Sequence, residues 1–144
     1  MSSFVRHTRS VPETQALARD LAERFGPNAF YALRGDLGAG KTCFVQGLCT
    51  ALGIHALVSS PTFTIANEYR DDKAGKRFLH LDLYRLEGPD DLDSIGWDDY
   101  LDSGDPMAVE WPERAGSYLP ARTIFVDIGI GPGPDDRTFT VTAP

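Results

Sequence analysis

The sequence predicts an α/β fold, in which a mixed parallel and antiparallel sheet is flanked by helices. One observation behind this prediction is a glycine-rich loop between an apolar run of strand length and a segment with helical spacing. A second is the series of short apolar runs, separated by turn residues, that fills the rest of the chain. At 144 residues the chain suits one core, so we expect a single domain over residues 1–144.

The composition is typical of a globular chain, with 42% hydrophobic and 24% charged residues. No apolar run approaches the roughly 18 residues that a membrane span needs, and the polar N-terminus lacks the apolar stretch of a signal peptide. We therefore expect a cytoplasmic protein with no membrane association. The formal net charge of −7 disfavours tight autonomous binding to nucleic acid, because no basic excess is available to displace counterions.

The first helix is predicted by a capping box in which Ser10 is the N-cap and Glu13 occupies the third helical position. Apolar residues at helical spacing continue to about Phe25, and Gly26-Pro27 ends the helix. The later elements are predicted from apolar alternation and turn residues, and the polar turn 71–76 indicates an antiparallel hairpin. In chain order they are strand Ala29–Leu33, a helix to Leu52, strands Phe63–Tyr69 and Arg77–Tyr84, short helices within Glu87–Leu101, strand Met107–Trp111, one helical turn in Pro112–Gly116, and strands Thr123–Ile128 and Thr138–Val141.

The loop from Gly35 to Thr42 fits the pattern G-x-x-x-x-G-K-[ST], which is the phosphate-binding loop, or P-loop. Its glycines let several backbone N–H groups point at one anion, and the following helix presents its positive end to the same anion. Lys41 can reach the β- and γ-phosphates of a nucleotide, and the Thr42 hydroxyl can ligate Mg²⁺. The sequence therefore predicts a P-loop NTPase-like domain. The guanine-recognition motif N-K-x-D occurs nowhere in the sequence, which favours ATP.

Two acids lie at the ends of apolar strands, where a second acid is needed to hold the metal or its waters. Asp82 follows the alternating run Phe78–Leu81, and Glu110 follows Met107–Val109. A buried acid is costly unless it is paired or metal-bound, so both are candidates. The alternative is that each caps a helix or pairs with an arginine. We interpret His80 as a hydrogen-bonded strand residue.

The segment Ser60-Pro61-Thr62 is a candidate switch loop, because its hydroxyls could sense the γ-phosphate. An ordinary Ser/Thr turn is the alternative. The two cysteines, Cys43 and Cys49, lie six helical residues apart, a rise of about 9 Å that a disulfide does not span. We expect both to be free thiols.

Four segments together resemble the bacterial TsaE (YjeE) family: GDLGAGKT, SPTFT, HLDLYRL and VEWPERAG, in this order and at this spacing. The likeness runs from about Glu13 to Arg137. It implies an ATPase, weak alone, of tRNA threonylcarbamoyladenosine biosynthesis. The family works with a TsaD–TsaB assembly, so the resemblance implies that tRNA is contacted indirectly, through those partners.

The resemblance also implies roles for individual residues. Lys41, Asp82 and Glu110 would be catalytic, Thr42 and Glu110 would hold Mg²⁺, and Ser60 and Thr62 would belong to the switch segment. The residues implied in nucleotide binding are Val11, Gly38, Ala39, Gly40, Lys41, Thr42, Cys43 and Arg137. One position departs from the family, which usually has a second threonine where this chain has Cys43. A thiol is a weaker donor than a hydroxyl, so we expect a modest loss of nucleotide affinity.

Two other functions fit the same loop. A small-molecule kinase would also need an acceptor pocket and usually a lid that bears arginine, for which 144 residues leave little room. A non-enzymatic module, in which bound nucleotide gates docking without essential hydrolysis, is the other alternative.

Overall fold

A computed structural model describes residues 2–36, 38–58 and 66–144. Seven strands in this part of the chain form one sheet in the order β1-β7-β6-β2-β5-β4-β3. The strands are β1 (Ser2–Thr8), β2 (Phe30–Arg34), β3 (Ala66–Asp71), β4 (Lys76–Asp82), β5 (Met107–Glu110), β6 (Ile124–Ile130) and β7 (Arg137–Ala143). The α-helices are α1 (Val11–Phe25), α2 (Lys41–Ala51) and α3 (Trp97–Asp102), and single 3₁₀ segments cover Pro89–Ile95, Pro112–Arg114 and Gly116–Tyr118.

The sheet is mixed, which confirms the predicted fold class. Strand β2 pairs in parallel with both β5 and β6, and β4 pairs in parallel with β5. The outer pairs β3–β4, β6–β7 and β1–β7 are antiparallel. Because parallel strands end at the same edge of a sheet, the carboxyl ends of β2, β4 and β5 lie together, with Asp82 opposite Glu110 in the register.

Helix α1 begins and ends where the sequence predicts. The Ser10 side chain accepts a hydrogen bond from the Glu13 N–H at 3.2 Å, and Glu13 in turn accepts one from the Arg9 N–H at 3.4 Å. Gly26 follows the helix with φ 84°, in the left-handed region that glycine tolerates. The buried face of α1 packs on α2, which brings α2 and the loop before it against the sheet.

Both faces of the central strands are buried, so consecutive residues enter different cores. In β2, Tyr31 and Leu33 join the core beneath α1 and α2, whereas Phe30 and Ala32 join the core on the opposite face. In β4 the same alternation sends Phe78 to the first core and Leu79 and Leu81 to the second. The central strands are therefore held rigidly at the edge where their carboxyl ends meet.

Strand β1 was not predicted. It pairs along its whole length with β7, from Ser2 opposite Ala143 to Thr8 opposite Arg137. Most of its side chains are exposed, so the sequence carries no apolar alternation there. The prediction for β3 began at Phe63, and the part before Ala66 lies outside the described residues. No helix in the described ranges has the length and apolar character that crossing a membrane requires.

Candidate active site

The glycine-rich loop connects β2 to α2, as the sequence predicts. Gly38 and Gly40 have φ values of 83° and 100°, a left-handed backbone that glycine adopts without strain. Gly40 is the N-cap of α2, and its carbonyl accepts the Phe44 N–H at 3.0 Å. The N–H groups of the first helical turn have no intrahelical acceptor, so the loop presents donors and the positive end of the helix dipole together.

Lys41 folds back across the loop. Its Nζ donates to the Gly35 carbonyl at 2.9 Å and lies 3.1 Å from Oε1 of Glu110 at the end of β5. Both side chains are largely buried, at 14% and 8% exposed. The structure thus brings together two of the three residues expected to be catalytic, the loop lysine and one strand-end acid.

Glu110 is held from a second direction by a buried histidine. His80 Nε2 lies 2.7 Å from Oε2 of Glu110, and His80 Nδ1 lies 2.9 Å from the Tyr69 hydroxyl. Burial alone would raise the pKa of Glu110, but the His80 hydrogen bond and the Lys41 ammonium outweigh it and hold that pKa below its ordinary value. Glu110 is therefore an ionised, paired carboxylate at the base of the loop.

Asp82 ends β4, one strand away from Glu110. Its Oδ1 accepts the Tyr84 N–H at 2.9 Å. Burial raises the pKa of Asp82, and the charge of Glu110 adds to that rise, while the Tyr84 N–H and Lys41 oppose it. The carboxylate is thus destabilised beside a second acid, a position where a cation would stabilise it.

The contacts of the two acids bear on the alternative that each pairs with an arginine. Among the described ion pairs neither Asp82 nor Glu110 contacts an arginine, and Glu110 is paired with Lys41 and His80. His80 is a fully buried, hydrogen-bonded strand residue, in agreement with its interpretation from sequence. Asp82 and Glu110 are opposite each other in the register of β4 and β5. Their carboxylates and the Thr42 hydroxyl are oxygen donors, the ligand type that Mg²⁺ prefers.

Arg137 reaches the loop from the start of β7. Its Nε donates to the Ala39 carbonyl at 2.8 Å, and its Nη2 donates to the Gly38 carbonyl at 3.2 Å. Cys43 lies nearby on the first turn of α2. Burial raises the pKa of its thiol, although the Arg137 charge lowers it. Arg137, the one residue of the C-terminal part that the resemblance implies in nucleotide binding, therefore lies at the loop.

Val11, Ser60 and Thr62 are the remaining candidate residues. Val11 opens α1 and is 46% exposed, and none of the described contacts joins it to the loop. Ser60 and Thr62, the candidate switch residues, lie outside the described residues.

The structure adds residues that sequence reasoning did not assign to the site. Tyr69 approaches His80 diagonally across the β3–β4 pair, in which Asn67 is opposite His80. A cleft of about 130 Å³ beside Lys41 is lined by Trp111, whose ring lies 4.9 Å from that of Tyr84. Trp111 has φ 58°, the one left-handed non-glycine residue among those described. Finding Tyr69 from sequence would have required the register of the β3–β4 pair. Tyr84 and Trp111 lie within the HLDLYRL and VEWPERAG segments, which are signals that could have found them.

The fold and the site define a class: an α/β protein in which a glycine-rich loop meets two acids at one edge of a mixed sheet. The family model described as "Threonylcarbamoyl adenosine biosynthesis protein TsaE" matches residues 8–137, and the chain belongs to this family.

The chain is similar to several proteins named tRNA threonylcarbamoyladenosine biosynthesis protein TsaE. It is 39% identical to that of Bacillus subtilis over 143 residues, covering 99% of this chain and 87% of the relative. It is 34% identical to that of Treponema pallidum, covering 85% and 89% of the two chains. Among solved structures, a crystal structure of Bacillus subtilis YdiB matches with a TM-score of 0.72 at 31% identity, covering 99% of this chain and 86% of that one.

Proposed function

We propose that this chain is the ATP-binding and ATP-hydrolysing component of tRNA threonylcarbamoyladenosine biosynthesis, and that it acts in the cytoplasm. The observation that supports this most directly is the approach of Lys41 to Glu110 at the base of the loop, with Asp82 on the adjacent strand. This is the arrangement that phosphoryl chemistry uses, in which a loop lysine and a strand-end acid flank one phosphate position.

The loop residues bind the triphosphate in this proposal. Backbone N–H groups of the loop and of the first turn of α2 would donate to its oxygens, and Lys41 would leave Glu110 to neutralise the β- and γ-phosphates. In the structure the Ala39 N–H donates to the Asp36 carbonyl at 2.9 Å, so this group would have to leave that acceptor to bind phosphate. Arg137 holds the loop in shape through the Ala39 carbonyl. Cys43 supplies its backbone N–H, because its thiol is a weak donor.

Glu110 and Asp82 have different roles in this proposal. Thr42 and Glu110 would hold Mg²⁺, which when bound neutralises charge that develops on the phosphates. Asp82 would accept a hydrogen bond from the attacking water, and its raised pKa suits a group that handles a proton. Water adds in line to the γ-phosphorus as the bond to the β-phosphate oxygen breaks, giving ADP and inorganic phosphate.

The partner in this proposal is a TsaD–TsaB-type complex, and tRNA is reached through it. An acidic chain with a net charge of −7 has little capacity to hold tRNA itself. Hydrolysis would then drive a conformational cycle of the complex, such as resetting or product release, and not the transfer of the threonylcarbamoyl group.

The test is the rate of ATP hydrolysis with and without the TsaD–TsaB partners, in the presence and absence of tRNA. We expect the partners to stimulate turnover, and Lys41→Ala and Asp82→Ala to abolish it. Lys73→Ala and Asp72→Ala, which change the same residue types in the exposed turn 72–75, are the matched controls.

Unchanged turnover in Lys41→Ala or Asp82→Ala would refute the role assigned to that residue. A variant that binds ATP without hydrolysing it, yet still supports tRNA modification, would favour the nucleotide-gated binding module. A phosphorylated product from candidate metabolites would favour a kinase.

A further inference from the structure

We propose that His80 is a positioning residue, which holds one oxygen of the Glu110 carboxylate so that the other can pass from Lys41 to a nucleotide-bound divalent cation. This inference rests on the proposed function. It concerns a buried histidine that touches neither nucleotide nor cation in the site described above.

The hydrogen bonds around His80 form an unbroken chain from the edge of the sheet to the loop. The Tyr69 hydroxyl is 2.9 Å from His80 Nδ1, and His80 Nε2 is 2.7 Å from Glu110 Oε2. Glu110 Oε1 is 3.1 Å from Lys41 Nζ. Each link is buried: His80 is 0% exposed and Tyr69 is 5% exposed, and the Glu110 side chain is 8% exposed.

The sheet register explains why this contact forms. His80 lies opposite Ala108 in the parallel β4–β5 pair, and Glu110 is the next residue along β5 on the same face as Ala108. The methyl side chain of Ala108 leaves room for the imidazole to extend along the sheet face to Glu110. A larger residue at that position would occupy this space.

The protonation pattern follows from the partners. An ionised carboxylate can only accept hydrogen bonds, so His80 Nε2 carries the proton that it donates to Glu110. In the neutral imidazole Nδ1 is then an acceptor, and the Tyr69 hydroxyl donates to it. Both partners thus favour the same tautomer, in which Nε2 donates to Glu110.

The hydrogen bond from His80 to Glu110 matters most when Lys41 moves away from Glu110. Lys41 Nζ already contacts Glu110 Oε1 and the Gly35 carbonyl. If Lys41 turns towards the phosphates of a bound nucleotide, Glu110 loses one of the two bonds that orient its carboxylate. The bond from His80 remains and keeps Oε1 directed at the loop. Supporting hydrogen bonds of this kind typically change metal affinity by about 10- to 100-fold when they are lost.

The experiment compares His80→Asn with His80→Gln. A glutamine side-chain amide reaches roughly where Nε2 stands and can still donate to Glu110, whereas asparagine reaches only the position of Nδ1. Affinity for a non-hydrolysable ATP analogue is measured by calorimetry, with Mg²⁺ and with EDTA. The ratio of the two affinities reports on the Mg²⁺-dependent part of binding, which general damage to the fold would not change selectively.

We expect His80→Asn to reduce this ratio by about tenfold or more, and His80→Gln to keep it within about threefold of wild type. In EDTA, the affinity for the ATP analogue should be equal in the wild type and in both variants. A ratio that is unchanged in His80→Asn, or equally reduced in both variants, would overturn the proposal.

Thermal denaturation establishes that each variant is folded. If His80→Asn is not folded, Tyr69→Phe is the second variant, because it removes the hydroxyl that supports Nδ1 and leaves the imidazole in place. A Mg²⁺-dependent ratio reduced by about threefold or more in Tyr69→Phe supports the proposal, and an unchanged ratio refutes it. Failure of the proposed function is a different result, in which the wild-type chain binds no ATP analogue under either condition.

Discussion

The ionised Asp82 carboxylate, which the proposed activity requires, lowers the stability of the fold. Burial and the nearby Glu110 charge raise its pKa above the ordinary value of 3.8, so the folded chain binds a proton more tightly than the unfolded chain. The contribution of Asp82 to the free energy of unfolding is therefore fully present below pH 3.8. It is lost as the pH rises through the raised pKa. The ionised form of this carboxylate is therefore destabilising, although the proposed function requires it.

We therefore predict that Asp82→Asn raises the melting temperature at pH 7 while it abolishes ATP hydrolysis. The amide oxygen can still accept the Tyr84 N–H, so the local turn is retained. The measurement is thermal denaturation across a pH series, in which the difference from wild type should shrink as the pH falls towards 3.8. A lower melting temperature at pH 7 in the variant would contradict this account of Asp82.

Cys43 leads to a second prediction at the same scale. Its thiol replaces a hydroxyl donor on the first turn of α2, but its backbone N–H is unaffected. We predict that Cys43→Thr changes ATP affinity by less than about tenfold, or about 1.4 kcal/mol. Calorimetric titration measures this, and a larger change would show that the side chain contributes more than we infer. Cys49→Thr is unsuitable as a control, because Cys49 is fully buried in the core.

At the scale of elements, the contact between α1 and α2 depends on one glycine. A Cβ at Gly47 would lie 2.8 Å from the Ala18 Cβ and 3.0 Å from the Gln15 Cα, closer than real contacts allow. The two helices can approach this closely only because Gly47 has no side chain. The loop begins α2, so this packing also fixes where the loop lies relative to the sheet.

We predict that Gly47→Ala destabilises the protein although alanine favours a helix. The helix preference contributes about 1 kcal/mol, whereas overpacking typically costs about 1–3 kcal/mol. The net cost is then up to about 2 kcal/mol, so differential scanning calorimetry should show a melting temperature lower by up to about 8 °C. Gly88→Ala is the matched control, since its backbone is extended at φ 178° and no described atom lies within 4 Å of the added methyl. Equal melting temperatures for the two variants would contradict the role of close packing.

The elements also show what the sequence could and could not predict. Helix α1 was predictable because its cap, its apolar spacing and its terminal glycine act locally. Strand β1 was not, because edge pairing to β7 stabilises it through backbone hydrogen bonds and leaves its side chains largely exposed. The Tyr69–His80–Glu110 chain was beyond sequence reasoning as well, since it depends on strand register, which only the assembled sheet determines.

At the scale of the whole molecule, strand order gathers residues that are distant in the sequence. Lys41 and Glu110 meet because β2 and β5 are parallel neighbours, and Asp82 joins them because β4 is the next strand. Arg137 comes from the antiparallel end of the sheet and still reaches the loop. Sequence motifs indicate which residues belong to the site. The order of the strands in the sheet determines how close those residues are to one another. The Lys41–Glu110 contact is therefore a property of the fold and not of the loop motif alone.

The charge of the whole molecule leads to the last prediction, which concerns tRNA. With 21 acidic and 14 basic residues the chain repels a phosphate backbone, and few cations are available to release counterions. We predict that the isolated protein binds tRNA no more tightly than about 100 µM at about 0.15 M salt, the weak end of non-specific binding. Fluorescence anisotropy with labelled tRNA measures this, and the TsaD–TsaB-type complex with the same tRNA is the positive control. Sub-micromolar binding by the isolated chain, weakening steeply as salt is raised, would mean that a local basic surface contacts tRNA directly, and the indirect role proposed for this protein would be wrong.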